Sequence, residues 1–125
     1  MTAPSLEGTS ILIVEDNFVV ADALKYLITV YEGSVAAIAP TVERALEALA
    51  AAPVDVAVLD INLKGQSVVP LADHLQAQGI PFLFVTGYAD AQMLPERLRE
   101  HPRLDKPVDA ERLVLAIRNL THARR

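Results

Sequence analysis

The sequence predicts an α/β domain in which a doubly wound, parallel five-stranded sheet carries helices on both faces. Three observations predict it. Four runs, at residues 11–14, 35–39, 54–59 and 81–85, are almost continuously apolar and rich in Val, Ile and Leu, as strands covered on both faces are. Between these runs the apolar spacing turns helical. The length of 125 residues fits one such unit, long enough to bury about two-thirds of the surface that its unfolded chain would expose.

The first strand, Ile11-Leu12-Ile13-Val14, runs into Glu15-Asp16. Asp16 or Asn17 suits the N-cap of the next helix, where Val20, Leu24, Leu27 and Tyr31 recur at helical spacing. After the second strand Thr41 suits an N-cap, and Val42, Leu46 and Leu49 mark the buried stripe of a second helix. The third strand closes on Asp60. A third helix is expected at about residues 67–78, with Gly79 suited to the left-handed residue beyond its end. The fourth strand leads to Thr86.

Residues 89–103 break the pattern, because Pro95 and Pro102 interrupt helix and strand alike. This stretch is expected to be irregular and thinly packed, and the fifth strand shrinks to a few residues around Leu104. Asp109 can cap the last helix, flanked by Val108 and Leu113 in hydrophobic-staple positions; Leu113, Ala116, Ile117 and Leu120 supply its buried stripe. Residues 121–125 read as a frayed end. Strand–helix alternation with right-handed crossovers makes 2-1-3-4-5 the expected strand order. Ligands in such sheets collect beyond the carboxyl ends of the strands, near the switch point between the first and third. Glu15, Asp16 and Asp60 therefore fall together.

Composition bounds the partners. A formal charge of −5 argues against a nucleic-acid surface, where a basic patch would be expected. Cysteine is absent, which removes disulfides and thiolate metal sites. No leader-like or membrane-spanning segment is visible in the sequence. The chain reads as a single cytoplasmic domain over residues 1–125, with its core at about 10–120 and no output domain.

Three carboxylates converging on one crevice repel one another, so holding them ionised calls for a cation. Oxygen ligands without Cys or clustered His point to a hard ion, Mg2+ first. Asp16 is the best direct ligand, Glu15 a ligand through water, and the backbone carbonyl of Asn62 a further candidate. Asp60 can serve as metal ligand and as nucleophile toward phosphorus, since aspartate carboxylates form acyl phosphates. Lys106 can neutralise phosphoryl charge, and Thr86 can donate a hydroxyl hydrogen bond. Lys106 precedes Pro107, a cis-peptide candidate. Singly, each residue has an ordinary explanation: an N-cap aspartate, a solvated strand end, a β-forming threonine, a surface lysine. Their joint placement at four strand ends is what points to a site. His74, His101 and His122 are scattered without ligand spacing and read as surface residues, while Gly65 and Gly87 make no phosphate-cradling loop.

Together, Ile-Leu-Ile-Val-Glu15-Asp16, Val-Leu-Asp60-Ile-Asn62, Thr86-Gly87 and Lys106-Pro107 resemble the receiver domain of bacterial two-component response regulators, a flavodoxin-like fold. The resemblance covers about residues 10–120. It implies that Asp60 is the phosphoacceptor, that Glu15 and Asp16 hold Mg2+, that Thr86 is the switch hydroxyl and that Lys106 contacts the phosphoryl group. It further implies a sensor histidine kinase or phosphotransfer protein as phosphate source, and a downstream protein partner. Phe84-Val85-Thr86-Gly87-Tyr88 resembles the Phe-x-Thr-Gly-Tyr signature of an atypical, often stand-alone subgroup, which makes Tyr88 a candidate switch residue. One departure stands out: Arg103 occupies the position where receivers usually carry an aromatic residue.

Two other readings compete. An Mg-dependent aspartate phosphohydrolase would use similar groups, but its general acid commonly lies two residues after the nucleophile, where this chain has Asn62. A degenerate receiver would bind without phosphorylation, against which the intact set of five residues argues. The expectation is a stand-alone response regulator, switching protein contacts or acting as a phosphate sink, and no enzyme toward outside substrates.

Overall fold

The computed structural model describes residues 4–87 and 90–124. In chain order the elements are β1 (Ser10–Val14), α1 (Phe18–Val30), β2 (Ser34–Ala39), α2 (Val42–Ala51) and β3 (Val56–Asp60), followed by a small hairpin of β4 (Asn62–Leu63) and β5 (Gln66–Ser67). Next come α3 (Val69–Ala77), β6 (Phe82–Thr86), two short 3-10 turns (Asp90–Met93 and Glu96–Leu98), β7 (Arg103–Asp105) and α4 (Ala110–Arg124). The main sheet is ordered β2-β1-β3-β6-β7, with every neighbouring pair parallel. Counting only its own strands, this is the expected 2-1-3-4-5.

Alternate residues of a strand point to opposite faces, and the central strands divide accordingly. Leu12, Val14, Ala57, Leu59, Phe82 and Phe84 pack with α2, α3 and the two leucines Leu94 and Leu98. Ile11, Ile13, Val56, Val58, Leu83 and Val85 pack with α1 and α4 on the other side. Both faces are covered, so the strands read as unbroken apolar runs. The exception is β2, expected to be covered on both faces: Ala36 is exposed and Ile38 is 39% exposed. Among the described residues it is an edge strand paired only with β1, and small side chains leave its rim open.

Local signals act where they were expected. Thr41 Oγ1 accepts the Arg44 N–H at 3.1 Å, and Asp109 Oδ2 accepts that of Arg112 at 2.9 Å. Of the two candidates for α1, the cap is Asn17, whose Oδ1 accepts the Val19 and Val20 N–H groups. Gly79 takes φ 71°, with the Gly79 and Ile80 N–H groups bonded back to Gln76 and Leu75 in the pattern that closes helices. Helix α3 starts at Val69 instead of 67, because Gln66 and Ser67 pair with Leu63 and Asn62. Leu46 is 37% exposed and does not join the core stripe. Helix α2 presents Val42 and Ala45, flanked by Ala48 and Leu49, which turns Leu46 to the rim. His101 is half-buried and stacks on Phe82 at 4.4 Å between ring centroids, so it is not a surface residue; His74 and His122 are exposed.

The turn after α1 shows why a glycine sits one place later than capping alone would put it. Glu32 takes the left-handed φ of 71° that usually falls to glycine, and the Gly33 N–H bonds to the Ile28 carbonyl at 2.9 Å. A Cβ on Gly33 would lie 2.8 Å from Ile28 Cγ2 and 3.0 Å from Leu6 Cβ, both residues being fully buried. Leu6 thus plugs the base of the α1 face against a bare backbone. Gly33→Ala is expected to lower unfolding free energy by about 1–3 kcal/mol through overpacking, read by urea denaturation; unchanged stability would show that Leu6 can move aside freely.

Candidate functional site at the carboxyl ends of the strands

The register sets the strand ends level: Val14 pairs with Leu59, Asp60 with Val85, and Thr86 with Asp105. Residues just past the ends remain tied to the sheet. The Glu15 N–H donates to the Ala39 carbonyl at 3.0 Å, and the Lys106 N–H to that of Thr86 at 2.9 Å. Glu15, Asp16, Asp60 and Lys106 are therefore delivered from the sheet to one crevice, and Thr86 closes the strand beside Asp60. The Lys106–Pro107 peptide is cis.

Glu15, Asp16 and Asp60 each offer a carboxylate oxygen, and these oxygens lie within 4.8 Å of one another. Asp60 Oδ1 receives the Asn62 N–H at 3.2 Å and lies 3.4 Å from Lys106 Nζ. Among the described residues, Oδ2 carries no hydrogen bond. Glu15 Oε2 accepts the Asn17 N–H at 3.1 Å, so the peptide that caps α1 also orients the acid. Glu15 Oε1 lies 3.1 Å from Lys106 Nζ, an ion-pair distance, yet among the described residues this buried oxygen has no partner in hydrogen-bond geometry. Asp16 Oδ2 accepts the Lys64 N–H at 3.2 Å, which ties the acid to the hairpin following Asp60.

Burial sets the electrostatics of the crevice. It pushes the Glu15 carboxyl up to about 7, helped by neighbouring Asp60, while the Asn17 N–H and the Lys106 ammonium pull the other way. Burial draws the Lys106 ammonium down, but Glu15 and Asp60 more than offset it and leave its pKa raised. Lys106 is thus a fixed cation across the neutral range.

The chain matches the family model of the response regulator receiver domain over residues 11–118. It belongs to that family. SdrG from Sphingomonas melonis Fr1, known from a solution structure, is 33% identical, with a TM-score of 0.80 over 95% of this chain and 98% of that one. The receiver domain of the PhyR response regulator of Erythrobacter litoralis is 24% identical, with a TM-score of 0.82 over 93% of this chain and 92% of that one. A response regulator receiver domain protein from Clostridium thermocellum is 20% identical, at 0.81 over 93% and 96%. These last two are similar in fold. No match was found among curated proteins. The chain is accordingly a receiver of two-component signalling, a class that interacts with histidine kinases or phosphotransfer proteins. Among the described residues no helix is long and apolar enough to cross a membrane.

The receiver fold also uses residues that sequence reasoning passed over. Gln66 Oε1 accepts the Val42 N–H at 2.9 Å, joining the hairpin after Asp60 to the start of α2. Asp90 Oδ2 accepts the Gly87 N–H at 3.1 Å. The one signal for Asp90 was its place three residues after Gly87, the spacing of a capping box. Gln66 left no local signal, since its partner is 24 positions away. Tyr88, the candidate switch aromatic, lies outside the described residues. Arg103 is exposed on β7, paired with Phe84.

Proposed function

We propose that this receiver accepts a phosphoryl group on Asp60 from a sensor histidine kinase or phosphotransfer protein, and that the modification changes its affinity for a partner protein or drains phosphate from a relay. The observation that carries this reading is the convergence of three carboxylate oxygens within 4.8 Å beneath a lysine 3.4 Å from Asp60. Asp60 Oδ2 is the oxygen available to attack phosphorus. As its bond to phosphorus forms, the bond from phosphorus to the donor nitrogen breaks and the imidazole leaves with the electron pair. Lys106 faces the charge that collects on the phosphoryl oxygens, and Thr86 is the hydroxyl suited to donate to one of them.

The donor set fits Mg2+: it is all oxygen, and among the described residues the buried Glu15 Oε1, though paired in charge with Lys106, has no partner in hydrogen-bond geometry. Glu15, Asp16, Asp60 and the backbone carbonyl of Asn62 would hold the ion. A bound magnesium ion supplies positive charge that lets an anionic phosphoryl donor approach three carboxylates. Asn62 argues against hydrolysis of outside substrates, because it has no proton of suitable acidity where a general acid would be needed. The receiver turns over only its own acyl phosphate, and no second domain is required for the chemistry.

Incubation with acetyl phosphate and Mg2+ is expected to add one phosphoryl group, mapped by mass spectrometry to Asp60. Chelation or Asp60→Asn should abolish it. Labelling that persists undiminished in either case would overturn the assignment.

A further inference from the structure

The loop after β6 holds contacts that phosphoryl transfer does not use. The Thr86 hydroxyl donates to the Gly87 carbonyl at 2.9 Å. That carbonyl also accepts the Asp90 N–H at 3.1 Å, and the Gly87 N–H is given back to Asp90 Oδ2 at 3.1 Å. Asp90 thereby closes a reciprocal pair around Gly87, the arrangement that caps a helical turn. The fit is close: a Cβ on Gly87 would lie 2.9 Å from Asp90 Oδ2.

A threonine hydroxyl has one proton to donate. While Gly87 holds that proton, Thr86 cannot donate to a phosphoryl oxygen on Asp60. The bond to Gly87 must break first, and Asp90 holds Gly87 on both sides, its carboxylate on the N–H and its own N–H on the carbonyl that receives the proton. We propose that Asp90 is a positioning residue, a latch that holds Thr86 and Gly87 in the resting arrangement and so sets how readily the receiver activates. The proposal rests on the roles assigned above to Asp60 and Thr86. It places the threshold of the switch in a carboxylate on the loop itself, whichever residue stands at position 103.

The test measures the initial rate of Mg2+-dependent phosphorylation by acetyl phosphate for wild type, Asp90→Ala and Asp90→Asn, each also in a Thr86→Ala background. Asp90→Ala is expected to speed phosphorylation about tenfold, as a hydrogen bond to an ionised acceptor is lost. Asp90→Asn keeps a neutral acceptor, so its gain should be about threefold; it carries the test if the alanine variant does not fold. Both gains should vanish in the Thr86→Ala background, since coupled residues are not additive. Hydrogen exchange of the unphosphorylated protein gives a second readout. The Gly87 amide should exchange faster in the Asp90 variants, while the Val58 amide in the central strand stays protected. Wild-type rates in both variants, equal gains without Thr86, or an unchanged Gly87 amide would overturn the latch. Absence of phosphate on Asp60 in wild type would instead bring down the phosphoacceptor role proposed for Asp60, on which the latch rests.

Discussion

Leu98→Ala is expected to cost about 2–5 kcal/mol of unfolding free energy, the range for a large-to-small change in a closed core. Leu98 and Leu94 are 0% and 1% exposed and belong to the cluster of Phe82, Phe84, Leu71 and Leu75. Pro95, between the two leucines, and Pro102 beyond them prevent a regular helix here, which made the segment look thinly packed. The structure corrects that expectation: Leu94, between the two 3-10 turns, and Leu98, at the end of the second, are both buried against the sheet face. Arg99 Nε donates to the Leu94 carbonyl at 2.9 Å, and Arg97 forms a two-pronged pair with Asp73 on α3. Arg97→Ala should cost far less, because that pair is exposed to solvent. Urea unfolding of the two variants decides the matter. A midpoint unmoved by Leu98→Ala would mean that the segment is not part of the folded core. If it is, any movement on activation must carry these anchors along or release them.

Raising the pH is expected to weaken the metal-free protein through Glu15. Burial lifts this carboxyl from 4.5 to about 7, so the folded chain binds its proton more tightly than the unfolded chain does. The stabilisation from that proton is complete below about pH 4.5 and is lost as pH rises through about 7, a change on the order of 3 kcal/mol. Glu15→Gln keeps the shape without the ionisation and should lack this component of the pH dependence. Mg2+ is expected to act in the opposite sense, because a metal ligand must shed its proton. Affinity for Mg2+ should therefore fall as pH drops below about 7, and saturating Mg2+ should offset the loss of stability at higher pH. Thermal denaturation from pH 5 to 8, with and without Mg2+, checks both statements. Equal pH slopes for wild type and Glu15→Gln would refute the first, and Mg2+ affinity that does not change with pH would refute the second.

The fold was legible because each strand of the sheet interior is an unbroken apolar run and each helix carries its own cap. Those signals act over four residues or fewer, and Thr41, Gly79 and Asp109 do what their neighbours in sequence require. The acids, hydroxyl and lysine of the site were legible for a related reason: parallel strands with right-handed crossovers bring all carboxyl ends to one edge. The order of residues along the chain thus determined which groups would meet.

What the tertiary structure alone decided depends on packing between distant segments. Exposure of β2 followed from its place at the sheet edge, and Leu46 turned outward because the smaller Ala45 faces the core. Leu94 and Leu98, on either side of Pro95, became anchors, since the face of the sheet beneath them had to be covered. Within the site, Gln66 reaches α2, Asp16 is tied to the hairpin, and Asp90 folds back on Gly87. Local pattern determines what a residue can do; the burial and partners that determine what it does exist only after the chain has closed around it.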